Sequence, residues 1–325
     1  MKAKFTLSVA ALLAAVIASL CLGAAAIGPA ELWDAILSGP GTTAGRIFWY
    51  VRLPRTAACL LAGAALSVAG CVIQNVLANP LASPNVIGVN AGAGLAVTVC
   101  CALGAVSGWT VAGAAFGGAF AAVMLVSLAA KLVGASRTTT VLAGVAVNAF
   151  LGAISDAVTN LVPDAAVLGA DFRVGGFGAV AHTRLIPAAV LIMLGLGTVL
   201  ALRHELEVLS LGEDTARTLG LDAGKMRTVF LALAALLCGA AVSFAGLLGF
   251  VGLIVPHAVR RLAGTECGRL LPLSALWGGA FVTGCDLLSR LLFRPMELPV
   301  GILLSALGGP FFLYILWKRG GTHDD

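Results

Sequence analysis

Apolar residues occur in long runs along almost the whole chain, and short polar intervals separate the runs. Each run is close to the length of about 20 residues that a helix needs to cross a hydrocarbon core. The pattern therefore predicts an all-α polytopic membrane protein that forms one transmembrane domain over residues 1–325. About ten spans are expected, at residues 5–27, 52–76, 86–106, 108–132, 139–163, 184–203, 226–246, 249–263, 270–293 and 297–317.

The polar interval between the sixth and seventh spans, Arg203 to Arg227, differs from the others because it has the pattern of a helix. It holds nine of the 35 charged residues (20 basic and 15 acidic). Ser210 and Glu213 have the spacing of a capping box, and Gly220 suits a helix end. A helix from about Leu211 to Leu219 is expected. The residues alone favour neither a docking segment nor a solvated linker.

The predicted helix has two faces. Its less polar face is expected to comprise Leu211, Thr215, Ala216 and Leu219. Its solvated face is expected to comprise Glu213, Asp214 and Arg217.

Composition excludes a soluble globular domain. The chain is 60% hydrophobic and 11% charged, whereas soluble proteins average about 25% charged residues. The 41 glycines suit close helix approach. The eight cysteines form no C-x-x-C pair and lie mostly inside the spans, so packing is expected of them rather than disulfides or metal ligation.

The basic residues predict an orientation. Ten spans place both termini on one side, and a cytoplasmic N-terminus puts 13 basic residues inside and seven outside. Segment 203–227 is then cytoplasmic. The apolar run 5–27 is longer than the h-region of a signal peptide, so an uncleaved first span is expected. The seven outer residues are Arg46, Arg52, Arg55, Arg173, Arg184, Arg290 and Arg294.

An internal repeat relates residues 63–80 to 239–256, with an offset of 176 and eight identities in 18 positions. The matched segments belong to the second and seventh spans, which run in opposite directions, so the repeat is inverted. Approximate halves are 63–163 and 239–317. Inverted repeats are typical of transporters.

Several polar residues lie inside the spans. Asn148, Asp156 and Asn160 are spaced to share one face of the fifth span, and a carboxylate in lipid is costly. These three residues, Gln74 and Asn90 either line a translocation path or form hydrogen bonds between helices. His257 is expected to be structural, since no second metal ligand stands at helical spacing.

Four motifs lie at the ends of the spans: Arg52-Leu53-Pro54-Arg55, Asn79 to Gly94 with its prolines and glycines, Gly246 to His257, and Glu297-Leu298-Pro299-Val300-Gly301. In this order they resemble the permease subunits of the FecCD family, the membrane halves of ATP-binding-cassette (ABC) importers for ferric siderophores, haem and cobalamin. Phe172 departs from the family, because many relatives have Trp near this place.

The resemblance implies a homodimer that works with two ATPase subunits and an extracytoplasmic substrate-binding protein. It implies that segment 203–227 docks to the ATPase and that outer arginines dock to the binding protein. The coupling residues would be Leu211, Gly212, Glu213, Asp214, Ala216, Arg217, Leu219 and Gly220. The docking residues would be Arg52, Arg55 and Arg290. A ferric siderophore is the expected substrate.

The chain contains no G-x-x-x-x-G-K-[ST] phosphate loop and no catalytic cluster. We therefore expect no enzyme activity, no cofactor and no nucleic-acid binding of its own, with ATP and Mg²⁺ on a partner chain. The alternative is an ion-coupled secondary transporter with inverted repeats, for which Asp156 is the plausible ion-site carboxylate.

Overall fold

The computed structural model describes residues 2–23, 28–134, 136–178, 180, 182–293 and 296–320. All its regular elements in these ranges are helices, which confirms the predicted fold class. The α-helices are α1 Lys2–Cys21, α2 Pro29–Ser38, α3 Thr43–Ile47, α4 Leu53–Val76, α5 Val89–Ala102, α6 Gly108–Leu132, α7 Arg137–Leu161, α8 Pro163–Leu168, α9 Ala170–Val174, α10 His182–Ala201, α11 Arg203–Ser210, α12 Glu213–Thr218, α13 Ala223–Ala245, α14 Val251–Ala263, α15 Cys267–Leu291 and α16 Val300–Gly320.

A helix occupies each of the ten predicted spans. Among the described residues, seven helical stretches are long and apolar enough to cross a membrane, and α5, α14 and the apolar part of α16 are shorter. The second stretch runs without interruption for 34 residues, from Thr43 to Val76, because α3 continues through a π-helical turn into α4. The first span was predicted to reach residue 27, but α1 ends at Cys21, and residues 24–27 lie outside the described residues.

Helix α4 is the centre of the bundle and packs against α13, α14 and α15. Glycines let its backbone touch two of these neighbours. A Cβ atom at Gly63 would lie 2.1 Å from the carbonyl oxygen of Gly278 on α15, and one at Gly70 would lie 2.0 Å from that of Gly252 on α14. Such contacts suit membrane helices, whose association depends on close packing.

Helix α13, the predicted repeat partner of α4, packs against α4, α6 and α10. The two helices that carry the matched segments are therefore neighbours in the core. The repeat itself stays a prediction, and residues 294 and 295 of its second half lie outside the described residues.

Helices α1 and α7 lie at the periphery. Their most apolar stretches are mostly exposed, whereas that of the 43–76 stretch is mostly buried. Large apolar side chains of α7 project outwards, among them Leu142, Val145, Phe150 and Leu161. Lipid or another protein chain must cover these faces.

Candidate coupling and docking sites

The polar interval folds as two short helices, α11 and α12, at one end of the bundle, which we call the loop end. The predicted capping box is wrong. The Ser210 hydroxyl donates to the carbonyl oxygen of Glu207 at 2.7 Å and so closes α11, and Gly212, with φ of 122°, precedes α12 without a side-chain cap. The expected single helix from Leu211 to Leu219 is therefore shorter, because Gly212 turns the chain between two helices.

The prediction that Gly220 ends the helix is confirmed. Gly220 has φ of 82°, and its N–H donates to the carbonyl oxygen of Arg217. The N–H of Leu221 donates to the carbonyl oxygen of Ala216. These two bonds form a Schellman motif, which satisfies the last carbonyl groups of α12.

An ion pair fixes α12 to the first turns of α13. One Glu213 carboxylate oxygen accepts from Arg217 at 2.8 Å and the other accepts from Arg227 at 2.9 Å. Arg227 is almost completely buried. The hydrogen bond from Arg227 lowers the pKa of Glu213, and the charges of Arg227 and Arg217 lower it further. The ion pair thereby attaches α12 to α13, which packs against α4.

The outward surface of α12 combines apolar and charged side chains. Leu211 and Leu219 are 63% and 62% exposed, and Asp214 and Arg217 are exposed as predicted. Ala216 is fully buried, so it anchors α12 inwards and does not belong to the outward face. We call Leu211, Asp214, Arg217 and Leu219 the α12 surface.

A groove of about 360 Å³ lies beside the α12 surface. Glu207, Ser210 and Leu211 line one side, and Ala78 and Pro80 contribute from the turn after α4. Ala78 has φ of 44°, a left-handed conformation that is strained for a residue with a side chain. The Asn-Pro motif thus shapes the wall of a groove at the loop end.

Gln74 lies in the core beside this groove. Its amide donates to the carbonyl oxygen of Gly252 at 3.2 Å, and its oxygen accepts from Arg260. These bonds tie α4 to α14. Of the two interpretations that the sequence left open, Gln74 has the contacts of the structural one.

The other predicted path residues lie apart from Gln74. The Asn148 amide donates to the carbonyl oxygens of Asn85 and Val86 at 2.8 and 3.3 Å, and so ties α7 to the loop before α5. Asp156 and Asn160 are exposed on α7, and the Asn160 amide donates to the carbonyl oxygen of Asp156. Asn90 is half-buried at the start of α5. Their role in translocation stays a prediction.

The end of the bundle opposite α12 holds a buried charge cluster, so we call it the arginine end. Asp286 of α15 is fully buried. It accepts from Arg55 of α4 at 3.0 Å and from Arg290, one turn further along α15, at 3.0 Å. Arg55 also donates to Glu297 at 2.7 Å. We call Arg55, Asp286, Arg290 and Glu297 the arginine cluster.

Arg52, Arg55 and Arg290, the docking residues that the resemblance implies, are buried. These three residues are 3%, 8% and 3% exposed, because each has partners within the chain. Arg52 donates to the carbonyl oxygens of Leu20 and Cys21 at 2.7 and 2.9 Å, and Arg290 also donates to the Ser19 hydroxyl at 2.8 Å. Whether they take part in docking stays a prediction.

Asp286 is a buried, paired residue to which the sequence assigned no role. It follows Cys285 in an apolar stretch and stands four residues before Arg290, which is the spacing of an ion pair along a helix. The ion pair between Asp286 and Arg290 could therefore be predicted from the sequence. The contact with Arg55, 231 residues away, was not readable from the sequence.

Beside the cluster is a cavity of about 270 Å³, lined by Arg55, Asp171, Phe177, Glu297 and Pro299 among others. The Glu297 side chain is 36% exposed, whereas that of Arg55 is 10% exposed. Glu297 is therefore the more accessible side of the arginine cluster. Other predicted outer arginines lie elsewhere: Arg173 donates to the Thr98 hydroxyl, and Arg294 lies outside the described residues.

Among the described residues, no group of three or more His, Cys, Asp and Glu side chains could hold a metal ion. All eight cysteines are free. The His257 ring meets the Phe311 ring edge-on, with centroids 5.8 Å apart.

Comparison with known proteins gives consistent matches over nearly the whole chain. The FecCD transport family matches residues 11–318. A cobalamin import system permease of Halobacterium salinarum is 39% identical over 86% of this chain and 76% of its own length. An iron(3+)-hydroxamate import system permease of Bacillus subtilis is 36% identical over 91% of this chain and 78% of its own length.

A solved structure is similar as well. It is an inward-facing metal-chelate type ABC transporter, which is 26% identical and aligns with a TM-score of 0.84 over 98% of this chain and 99% of its own.

Proposed function

Because the chain belongs to the FecCD transport family, we propose that it is the permease subunit of an ABC importer that moves a ferric-siderophore type chelate into the cytoplasm. The observation that carries the proposal is the match to import permeases over most of both chains. The hydroxamate relative and the metal-chelate transporter support an iron chelate as cargo. Cobalamin is the second candidate cargo, supported by the archaeal relative.

Energy for transport comes from a separate ATPase chain, which binds ATP and Mg²⁺. The α12 surface supports a docking site for that chain, since two exposed leucines flank the charged residues of α12, which is anchored to α13. Apolar side chains in such a setting are typical of an interface core with a polar rim. Docking to a cytoplasmic ATPase places the loop end and both termini in the cytoplasm. The protein is then a multi-pass protein of the inner membrane.

A second copy of the chain covers α7. Asp156 and Asn160 are exposed there between large apolar residues, and an unpaired carboxylate in lipid is costly. A homodimer places these polar side chains in a shared, water-filled path rather than in hydrocarbon. Asn148, Asp156 and Asn160 would then line the cargo path at the dimer interface.

An extracytoplasmic binding protein delivers the cargo to the arginine end. Arg52, Arg55 and Arg290 supply the positive field there, although Arg55 already holds Glu297 as its outward partner. An acidic residue of the binding protein meets Glu297 before it meets Arg55. Glu297 therefore tunes docking, because like charges at an interface slow association and weaken it.

The test of the cargo is growth of a deletion strain under iron limitation. We expect growth on a ferric hydroxamate to fail and to return with the wild-type gene, whereas cobalamin-dependent growth is unchanged. Failure only on cobalamin would move the assignment to the second candidate cargo.

Energy coupling is tested with proteoliposomes that contain the complete complex. We expect uptake to require ATP hydrolysis and to persist when the proton gradient is collapsed. Uptake that follows the proton gradient without ATP would overturn the ABC mechanism and favour an ion-coupled transporter.

A further inference from the structure

A groove of about 410 Å³ lies at the loop end, between α1 on one side and α14 and α15 on the other. Its lining includes Lys4, Phe5, Ala263, Arg269, Pro272 and Leu273. None of these residues belongs to the α12 surface or the arginine cluster. The groove therefore needs an explanation of its own.

The groove lies where lipid meets protein. Helix α1 is apolar from Phe5 onwards except for a few hydroxyl groups, and little of it is buried, with Leu7, Leu13 and Ile17 projecting outwards. Besides the bonds from Arg52 and Arg290 at its far end, α1 has three hydrogen bonds to the bundle. Trp277 donates to the Ser8 hydroxyl at 2.9 Å, the Ser19 and Thr56 hydroxyls share a hydrogen bond, and Lys4 donates to the carbonyl oxygen of Leu262 at 2.6 Å. Between them the helices leave an apolar channel that lipid chains can enter.

Positive charge is concentrated at the mouth of the groove. An ammonium group has three N–H donors, and the contact with Leu262 uses one of those of Lys4. Arg269 is half exposed and pairs with Glu266 at 2.9 Å. A Cβ atom at Gly268, which also lines the groove, would lie 4.0 Å from the Cδ atom of Arg203. Two cations, Lys4 and Arg269, thus line the groove, and the stem of Arg203 lies close to Gly268.

We propose that this groove binds an anionic phospholipid, with its phosphate between Lys4 and Arg269 and one acyl chain along Phe5, Ala263 and Leu273. The groove combines what such a lipid needs: an apolar wall open to the hydrocarbon, and an excess of basic side chains at the end of the helices, where headgroups lie. Lys and Arg reach this depth readily, since their long stems pack on apolar surface. A bound lipid bridges α1 to α14 and α15 at the place where α1 is otherwise held by the Lys4 contact.

The charge test uses the complete transporter, purified and incorporated into nanodiscs that contain phosphatidylglycerol and phosphatidylcholine. Retained lipid is counted by native mass spectrometry. The K4Q/R269Q variant should lose affinity for phosphatidylglycerol by about tenfold or more, the scale expected for two basic residues near a lipid surface. Phosphatidylcholine retention should not change.

The matched control is K131Q/K225Q, which removes two exposed cations of the loop end that do not line the groove. It should retain phosphatidylglycerol as the wild type does. Equal loss in both variants would mean a general surface potential, and no loss in either would remove the site. Both outcomes overturn the proposal.

Two further experiments distinguish lipid binding in the apolar groove from binding to the charged side chains alone. A263W fills the groove while all cations remain, and it should release phosphatidylglycerol; retention would overturn the acyl-chain placement. Excess inorganic phosphate should not displace the lipid. Displacement at millimolar phosphate would identify a phosphate-ion site instead of a lipid site. Thermal unfolding of each variant confirms that it is folded.

Discussion

At the residue scale, Asp286 organises the arginine end. Its carboxylate is fully buried and pairs with two arginines, Arg55 and Arg290, which are themselves almost completely buried. Removing one partner of a buried ion network leaves uncompensated charge, which costs more than the network contributes when intact. The cluster is therefore sensitive to loss of its single central anion.

Asp286→Asn should destabilise the protein by about 3–5 kcal/mol, the range for breaking a buried pair. Thermal or denaturant unfolding of the purified protein in detergent measures the change. Asp171→Asn is the matched control, because Asp171 is an exposed acid at the same end. Equal stability of the two variants would mean that water or lipid headgroups replace the Asp286 carboxylate.

Glu213 controls the attachment of α12 in the same way, but at the surface. Glu213→Gln should raise hydrogen exchange of the backbone amides in residues 212–221, because the neutral side chain of Gln cannot form the ion pair with Arg227. Asp214→Asn, on the exposed side of the same helix, should leave exchange unchanged. Protection that is equal in the two variants would contradict an anchoring role.

The attachment also depends on pH in a defined direction. The folded-state pKa of Glu213 lies below the usual value, so its contribution to stability is fully present above the unfolded-state pKa of about 4.3. It is lost as pH falls through the lower folded-state value. The protection factors of the α12 amides, which correct for the intrinsic pH dependence of exchange, should thus not depend on this group near neutral pH and should fall in acid, and Glu213→Gln should remove that fall.

Arginine docking is testable at the exposed member of the arginine cluster. Glu297→Gln should strengthen association with the cognate binding protein by a few-fold, with a dependence on salt, since a like charge leaves the surface. Arg46→Gln is the control: Arg46 was predicted on the same side and donates to the carbonyl oxygen of Pro40, outside the cluster. Unchanged association rates for Glu297→Gln would argue against docking through Arg55.

Sequence separation decides which residue contacts can be predicted from the sequence. The pair of Asp286 and Arg290 stands at helical spacing and is readable, as is the end of α12 at Gly220. The contact of Arg55 with Asp286 joins positions 231 apart, and no pattern along one helix encodes it. The sequence therefore shows how many arginines lie on the outer side, but not that Arg55 contacts Asp286.

At the element scale, the ten spans were predictable because each apolar run is long and continuous. Boundaries were less predictable, because capping and turn geometry decide them. The second span begins at Thr43 because the Thr42 hydroxyl accepts from the N–H of Gly45 and starts α3, whose helix continues into α4. The segment 203–227 divides at Gly212 because its positive φ breaks the expected helix.

Docking at the α12 surface, as proposed, depends on the two leucines that flank α12. Replacing Leu211 and Leu219 with Asp should weaken ATPase binding by about thirtyfold if the two side chains together contribute about 2 kcal/mol to the interface. Leu132→Asp, an exposed leucine near the same end, is the control. Pull-down of the partner ATPase and coupled transport measure the effect; unchanged coupling in the double variant would contradict docking at the α12 surface.

Close approach of α4 and α15 depends on Gly63 and Gly278. Gly63→Ala should destabilise the bundle, since its Cβ would lie 2.1 Å from the carbonyl oxygen of Gly278. Gly117→Ala is the matched control on α6, where a Cβ atom meets nothing within 4 Å. Comparable unfolding temperatures for the two variants would show that α15 can shift without loss.

At the scale of the whole molecule, burial is uneven. Helix α4 is surrounded by protein, whereas α1 and α7 are mostly exposed. The apolar surface of α1 suits lipid, but α7 combines apolar residues with Asp156 and Asn160. A monomer in lipid would leave these polar groups in hydrocarbon or snorkelling to an interface, so the complete unit that we propose is larger than one chain.

Dimerisation through α7 predicts a difference between two peripheral faces. Phe150→Ala on α7 should shift the purified protein towards monomer, whereas Leu194→Ala on α10 should not, although both side chains are more than 60% exposed. Sedimentation or mass photometry in detergent measures the distribution. A dimer fraction that is insensitive to Phe150 would place the subunit interface elsewhere.

The separation of Arg55 and Asp286 also has a consequence for biogenesis. The ribosome completes α4 long before it synthesises α15. During that time Arg55 has no contact with the Asp286 carboxylate. A chain that stops before residue 286 keeps that arginine uncompensated permanently. We expect membrane proteases to degrade such truncated chains faster than full-length protein. Formation of the arginine cluster would then distinguish chains that include the ninth span from chains that end before it.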